Sequence, residues 1–179
     1  VGGIKIALEN TMAYVQERRQ FDKTISQFQL TQHKIGVLAA ETFAAESSLY
    51  RASGDIDRAI EKLDKSATDY GDQKVRTIEE FAVECAINKV LASEVLDHMV
   101  DEYVQLHGGY GYIAEYPAEG AYRNSRINRI WEGTNEINRM LIPGTIMRRA
   151  MKGKAMEVVG FQQGLMVALA SGDAQLPSF

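Results

Sequence analysis

The residues whose types and spacing can support chemistry fall in one stretch, 105 to 137. Glu132 stands between Trp131 and Gly133, just ahead of a helix start that Thr134 or Asn135 would cap, with Glu136 in its first turn. A carboxylate beside an aromatic wall has its pKa raised when water is excluded, and such a group suits a general base. Upstream, Gln105-Leu106-His107-Gly108-Gly109-Tyr110-Gly111 puts three glycines into four positions. Missing side chains permit positive φ and let another surface approach the backbone closely. Each of these residues also has an ordinary use: an exposed loop glutamate, a helix start, a helix end followed by a turn. The glycines do not form a dinucleotide fingerprint, because no strand precedes them and the spacing differs. His33, His98 and His107 lack metal-ligand spacing, so no metal is expected.

Helices must position these groups. Ile4, Leu8, Met12 and Val15 recur at spacings of four, four and three, one stripe of a first helix. A turn-like stretch from Phe21 to Ser26 follows. Ile35, Leu38, Thr42, Ala45 and Leu49 alternate threes and fours, as a bundle seam does. Gly54 is expected to stop that helix, and Asp55 to start a third segment reaching roughly Tyr70-Gly71. Val75, Ile78, Ala82 and Cys85 mark a further stripe that leads past Leu91; whether it breaks before Val95 stays open. No stretch alternates in the manner of a strand, so no sheet is expected. The fold class is all-α, an up-and-down four-helix bundle. Residues 1–152 form that domain. Beyond them Gly153, Gly160, Gly164 and Gly172 punctuate a weakly patterned tail, 153–179, read as a linker or the start of a further segment.

Composition sets the outer bounds. The chain has 179 residues, 45% hydrophobic and 25% charged, the balance of a globular protein. Its three prolines, at 117, 143 and 177, leave more than a hundred residues free of helix breakers; Pro143 should kink the last helix. A net charge of −4 disfavours nucleic-acid binding. The single Cys85 precludes an internal disulfide and, set in an apolar helical pattern, is expected to be a core thiol. No apolar run approaches the roughly 18–20 residues of a membrane span. The chain begins at Val1, and nothing near it reads as a targeting segment, which suggests a piece of something larger.

Five motifs carry a resemblance. They are Glu17-Arg18-Arg19-Gln20-Phe21, Phe28-Gln29, Gln105 to Gly111, Tyr122-Arg123-Asn124 and Trp131-Glu132-Gly133-Thr134-Asn135-Glu136-Ile137. In order and spacing they resemble the C-terminal helical domain of the acyl-CoA dehydrogenase family, over residues 1 to about 150. The separation of 27 between Gln105 and Glu132, joined to the upstream Arg-x-x-Phe turn, makes the pattern specific. Two positions depart from the commonest form: Asn124 stands where many members carry aspartate, and Trp131 where tyrosine is frequent. The tail beyond Lys152 resembles the very-long-chain type, whose chains continue into another helical domain.

The resemblance implies an enzyme that binds FAD between domains and across a subunit interface, as a homodimer or homotetramer. Arg18 would meet the pyrophosphate, with Gln20 beside it and Phe21, Phe28 and Gln29 around the ADP portion. A guanidinium suits that contact through charge-assisted bidentate bonds to phosphate oxygens. Gln105, Gly108 and Gly109 would lie along the adenine end of a neighbouring subunit's FAD, and Thr134 and Glu136 against the FAD of their own. Glu132 occupies the position of the catalytic base, with Trp131 and Gly133 against the acyl thioester. It would remove an α-proton from a fatty acyl-CoA while the β-hydrogen leaves as hydride to the flavin, giving a trans-2-enoyl-CoA in fatty acid β-oxidation. Electron-transfer flavoprotein would take the electrons. The same residues fit two alternatives: an acyl-CoA oxidase, and a non-catalytic assembly or interaction module, against which Glu132 itself argues. The compartment implied is the cytoplasm of a bacterium or the mitochondrial matrix of a eukaryote. The isolated chain, without the family's other two domains, is expected to be inactive.

Overall fold

Helix α1 (Gly2–Glu17) buries Ile4, Ala7, Thr11 and Val15, a single stripe at helical spacing. The computed structural model that defines this helix describes residues 1–154. After α1 come two short strands, β1 (Arg19–Gln20) and β2 (Lys23–Thr24), and then α2 (Gln29–Glu61), α3 (Tyr70–Glu79), α4 (Ala82–His107), α5 (Pro117–Ser125) and α6 (Asn135–Arg149). Single 3₁₀ turns precede α2 and follow α4 and α5. The chain divides into a compact unit Val1–Arg139 and a second from Met140 onward. The expected linker at 153–179 lies outside the described residues apart from the backbone of 153 and 154.

In the first unit α4 is the shared wall: α1, α2 and α5 each pack on it, and α3 packs on α2. The core draws Ile4 and Ala7 from α1, Leu38 and Ala45 from α2, Val95, Met99 and Tyr103 from α4, and Ala118 from α5. Burying a side chain such as Leu38 or Met99 stabilises the fold by roughly 1.5–3 kcal/mol. Buried Thr11 of α1 and Thr42 of α2 cost little, because each hydroxyl donates to the carbonyl four residues back: Thr11 to Ala7 and Thr42 to Leu38, both at 2.7 Å. Half-buried Lys34 and Glu102 pair across α2 and α4 at 2.5 Å, and Glu41 meets His98 across the same helices at 2.7 Å.

The all-α bundle expected from the sequence is the fold observed, with local corrections, among them that Leu49, expected on the α2 seam, is exposed. Gly54 does not end α2. An interior glycine costs only about 1 kcal/mol, and Asp55, paired with Arg58 at 2.5 Å and with Arg51 at 3.8 Å, spans the position while Ala52 stays buried. The stripe running from Val75 to Cys85 crosses a break at Glu80–Phe81, so its phase does not carry over. Val75 and Ile78 are exposed, Cys85 is exposed rather than in the core, and α4 instead buries Val83, Ala86 and Val90. Beyond that break α4 runs uninterrupted through Val95 to His107. Arg19 and Gln20 pair with Thr24 and Lys23, an antiparallel hairpin where no sheet was expected. Its two turn residues, Phe21 (φ 52°) and Asp22 (φ 63°), both take the left-handed conformation that a tight two-residue hairpin turn requires. Neither is the usual Asn-Gly or Asp-Gly, which hid the turn.

Helix α6 continues past Pro143 to Arg149, and Ala150–Lys154 follows as a π-helical turn.

The glycine turn after α4 separates two kinds of glycine. A Cβ at Gly111 would lie 2.4 Å from the Val104 carbonyl oxygen and 2.9 Å from the Cβ of His107, whereas one at Gly109 would meet nothing within 4 Å. Gly111→Ala is therefore expected to destabilise the chain by about 1–3 kcal/mol through overpacking, and Gly109→Ala by less than about 0.5 kcal/mol. Urea denaturation of the two variants measures the difference, and equal midpoints would refute this account of the turn.

Candidate functional site

Two surfaces collect the residues singled out above. The first is a cleft of about 450 Å³ where the end of α1 and the β1–β2 hairpin face the end of α4. Arg18, Gln20, Gln105, Gly108 and Gly109 all line it. The sequence had assigned these five separately; the fold brings them together. Phe21, Phe28 and Gln29 do not line this cleft. Phe21 is 85% exposed at the hairpin tip and meets Phe28 edge to face at 6.3 Å, while the Lys23 ammonium sits 4.1 Å from the Phe28 ring centre. Gln29 opens α2 and is exposed.

Aromatic stacking sets the shape of the cleft. The buried His107 ring stacks on Tyr14 with centroids 3.9 Å apart and meets Tyr103 edge-on at 4.7 Å. Its Nδ1 hydrogen-bonds the Tyr103 carbonyl at 2.9 Å, and the Tyr14 hydroxyl donates to the carbonyl of His107 at 3.2 Å. Burial pushes the His107 pKa below its ordinary value, so the ring is neutral at pH 7. Burial likewise raises the pKa of the phenols of Tyr14 and Tyr103. His107 is thus a packing residue that pins α1 to α4. Immediately after it, Gly108 turns the chain with φ 59°. The Arg18 guanidinium lies over the Tyr110 ring, 5.3 Å from its centre, within cation–π range. A fixed cation, a planar aromatic wall and uncovered glycine backbone together suit a ligand that has both phosphate and ring systems.

The second surface is the turn into α6. Ile130 ends the preceding 3₁₀ turn, and Trp131, Glu132 and Gly133 are all exposed. Glu132 has φ 54° and Gly133 φ 79°. For a glutamate this left-handed backbone costs about 1–2 kcal/mol, so neighbouring contacts must hold it. Thr134 is the capping residue: its hydroxyl accepts from the Ile137 amide at 3.3 Å. Glu136, one turn position earlier, has its carboxyl held below the usual range by its own backbone amide and then by the Thr134 hydroxyl.

Contacts that sequence reasoning missed hold this turn. Lys89 of α4 donates to the Gly133 carbonyl at 2.8 Å and to Asn135 Oδ1 at 2.7 Å. The buried Asn135 amide donates to Ser93 Oγ at 2.9 Å and to Glu94 at 3.3 Å, and Glu94 also pairs with Arg139 at 2.7 Å. Asn138 Nδ2 donates to the carbonyls of Gly133 and Thr134 at 2.9 and 3.1 Å. A signal was present in the sequence: Lys89 and Ser93 stand four apart beside the apolar stripe Val83, Ala86, Val90. Two polar residues so placed on a packed helix face call for a partner.

Among the described residues, no group of three or more His, Cys, Asp and Glu side chains is arranged to hold a metal ion, and no helix is long and apolar enough to cross a membrane.

The chain is similar to known proteins over most of its length. The family model for the acyl-CoA dehydrogenase C-terminal domain matches residues 1–147. A probable acyl-CoA dehydrogenase of Bacillus subtilis (strain 168) is 48% identical over 154 residues, covering 86% of this chain and 26% of its own. The crystal structure of an acyl-CoA dehydrogenase complexed with FAD from Bacillus anthracis matches with a TM-score of 0.85 at 47% identity, covering 93% of this chain and 29% of that one. A more distant relative, the caffeyl-CoA reductase-Etf complex subunit CarC of Acetobacterium woodii, is 33% identical over 149 residues, 83% of this chain and 34% of its own. The chain therefore spans about a quarter to a third of the length of these relatives. With the helical order, the glycine turn and the Glu132 turn all in place, this chain belongs to the acyl-CoA dehydrogenase family, matching its C-terminal domain.

Proposed function

We propose that this chain is the part of an FAD-dependent acyl-CoA dehydrogenase that supplies the catalytic base and one wall of the cofactor site, acting on fatty acyl-CoA. The observation that carries the reading is Glu132 itself: an exposed carboxylate beside Trp131, held in left-handed backbone at a helix entrance, in a chain of this family. Glu132 takes the proton from the carbon α to the thioester. A carboxylate is a weak base for a carbon acid, so the acyl chain must exclude water around Glu132, while hydrogen bonds to the thioester oxygen make the α-proton more acidic. Trp131 and Gly133 flank the thioester, the first as an apolar wall and the second through a left-handed backbone (φ 79°) that glycine adopts readily.

The cleft between α1 and the α4 glycine turn fits the dinucleotide end of FAD. Arg18 offers two-point bonding to phosphate, Tyr110 and Tyr14 offer flat apolar faces, and open space at Gly108 and Gly109 leaves backbone within reach of the ligand. Gln20 and Gln105 add amide donors and acceptors at its edges, with Phe21, Phe28 and Gln29 beyond the hairpin. When bound, FAD would supply the acceptor for the β-hydrogen and its electron pair, so that loss of the α-proton to Glu132 and of hydride from the β-carbon leaves the α,β-double bond. Thr134 and Glu136 form a separate contact at the start of α6. Lys89, which reaches that turn, and His107, beside the cleft, stand eighteen residues apart on α4, roughly 27 Å along its axis. Two contact regions so separated favour an assembly in which each chain touches two flavins, hence a homodimer or homotetramer. Electron-transfer flavoprotein is the proposed electron acceptor, in keeping with the Etf-complexed relative of Acetobacterium woodii.

In the flavin-loaded enzyme, Glu132→Gln is expected to keep FAD bound and to slow acyl-CoA-dependent bleaching of the flavin absorbance at least about 100-fold, the usual contribution of a positioned base. Near-normal bleaching would remove Glu132 from the role. Separately, this chain expressed alone should fold as a helical protein, measured by circular dichroism, and retain little or no FAD. A yellow, stoichiometrically flavinated product would contradict that.

A further inference from the structure

Lys89 has no part in the reading above, although it makes two of the direct contacts to the Glu132 turn. Its ammonium donates to the Gly133 carbonyl at 2.8 Å, one peptide unit beyond the Glu132 residue, and to Asn135 Oδ1 at 2.7 Å. Asn135 is 2% exposed and is fixed from its other side by Ser93 and Glu94. Lys89, Ser93 and Glu94 all come from α4, so a rigid, packed helix grips the turn at the start of α6.

The turn needs such a grip. Glu132 and Gly133 are consecutive residues at positive φ, a conformation that a glutamate leaves readily unless its neighbours fix it. The Gly133 carbonyl lies at the turn's exit and points toward Lys89 and the Asn138 amide. Both donors act on one oxygen, and turning that peptide would break both bonds. The orientation of the Gly133 peptide in turn bears on where the Glu132 carboxylate projects.

We infer that Lys89 is a positioning residue for the base: its ammonium locks the Gly133 peptide and thereby holds Glu132 in its left-handed conformation. This rests on the reading of Glu132 as the base. Removing the lock lets the carboxylate sample unproductive directions, and a displacement of about 1 Å can cost up to about 100-fold in rate. Because Trp131 and Gly133 of the same turn flank the thioester in that reading, the loss is read at saturating substrate.

The test uses the flavin-loaded enzyme. Lys89→Met keeps the length and packing of the stem while deleting the donor. It is expected to lower the limiting rate of acyl-CoA-dependent flavin reduction at saturating substrate about 10- to 100-fold, with the protein still folded and flavin-loaded. Lys89→Arg, which retains donors, should recover most of the rate. Without any substrate, hydrogen–deuterium exchange should quicken over residues 131–134 in Lys89→Met. A wild-type rate or wild-type exchange in Lys89→Met overturns the inference. So does a rate lost only together with flavin or folded protein, or one that Lys89→Arg fails to restore. Glu132→Gln run in parallel keeps the two claims apart: if it stays active the base assignment fails, while the exchange experiment still reports whether Lys89 holds the turn.

Discussion

Everything functional in this chain hangs on α4. Its central stretch, Val95 to Tyr103, supplies the core against which α1, α2 and α5 pack, and both candidate surfaces are attached to it. Near its C-terminal end, His107 stacks on Tyr14 and so fixes where the glycine turn meets the hairpin after α1. In its N-terminal half, Lys89, Ser93 and Glu94 reach out to Gly133, Asn135 and Arg139. A packed helix of 26 residues bends little, so the relation between the two surfaces is set by the core rather than by the loops that carry them. That is the reverse of what the motifs alone suggest, because the motifs lie mostly in loops and helix ends.

The distribution of backbone strain follows the same plan. Among the described residues, positive φ is found at Phe21, Asp22, Gly108, Glu132 and Gly133, and each lies at the hairpin, the glycine turn or the Glu132 turn. Three of the five are not glycine. Such residues cost of order 1–3 kcal/mol each and persist when surrounding structure over-determines them. At the hairpin the Arg18 carbonyl accepts from Ile25, and the Arg19 guanidinium closes on the Asp22 carbonyl at 2.6 Å. At the Glu132 turn the holding contacts are the long-range bonds from α4. Exposed aromatic or charged side chains are thereby presented from backbone that has few alternatives.

Much of this was legible in the sequence, and the failures share a cause. The stripes in α1 and α2 held within one unbroken helix each, where spacing of three and four reports burial directly, except at Leu49, which is exposed where the α2 seam was expected to continue. The Cys85 stripe was wrong because it joined residues on both sides of a break at Glu80–Phe81 that no proline or glycine announces. Gly54 misled in the opposite sense: a residue that tends to end helices sits mid-helix because a penalty of about 1 kcal/mol is small against the packing of a long helix that buries Ala52 beside it. The grouping of Arg18 and Gln20 with Gln105, Gly108 and Gly109 could not be read from spacing, since some eighty residues separate the two sets and tertiary packing brings them together. Lys89 escaped for a related reason. Its partners are a backbone carbonyl and an asparagine in the 130s, and a lysine on a helix reads as solvated until a partner is seen.

The exposure of the Glu132 turn has a consequence for where catalytic power can arise. Trp131 is 53% exposed, Ile130 48% and Ile137 57%, and Glu132 between them is open to solvent. Water at ordinary density around a carboxylate weakens it as a base and screens any charge developing nearby. The described part of the chain supplies direction, through the locked turn, but it does not supply dryness. An apolar ligand laid across Trp131 would cover the carboxylate and bury exposed hydrophobic surface in the same event, at about 25 cal/mol per Å². Substrate binding and activation of the base are then one process. On the proposed reading, the acyl group would bury the apolar residues around the turn and bring the carboxylate under cover in the same event.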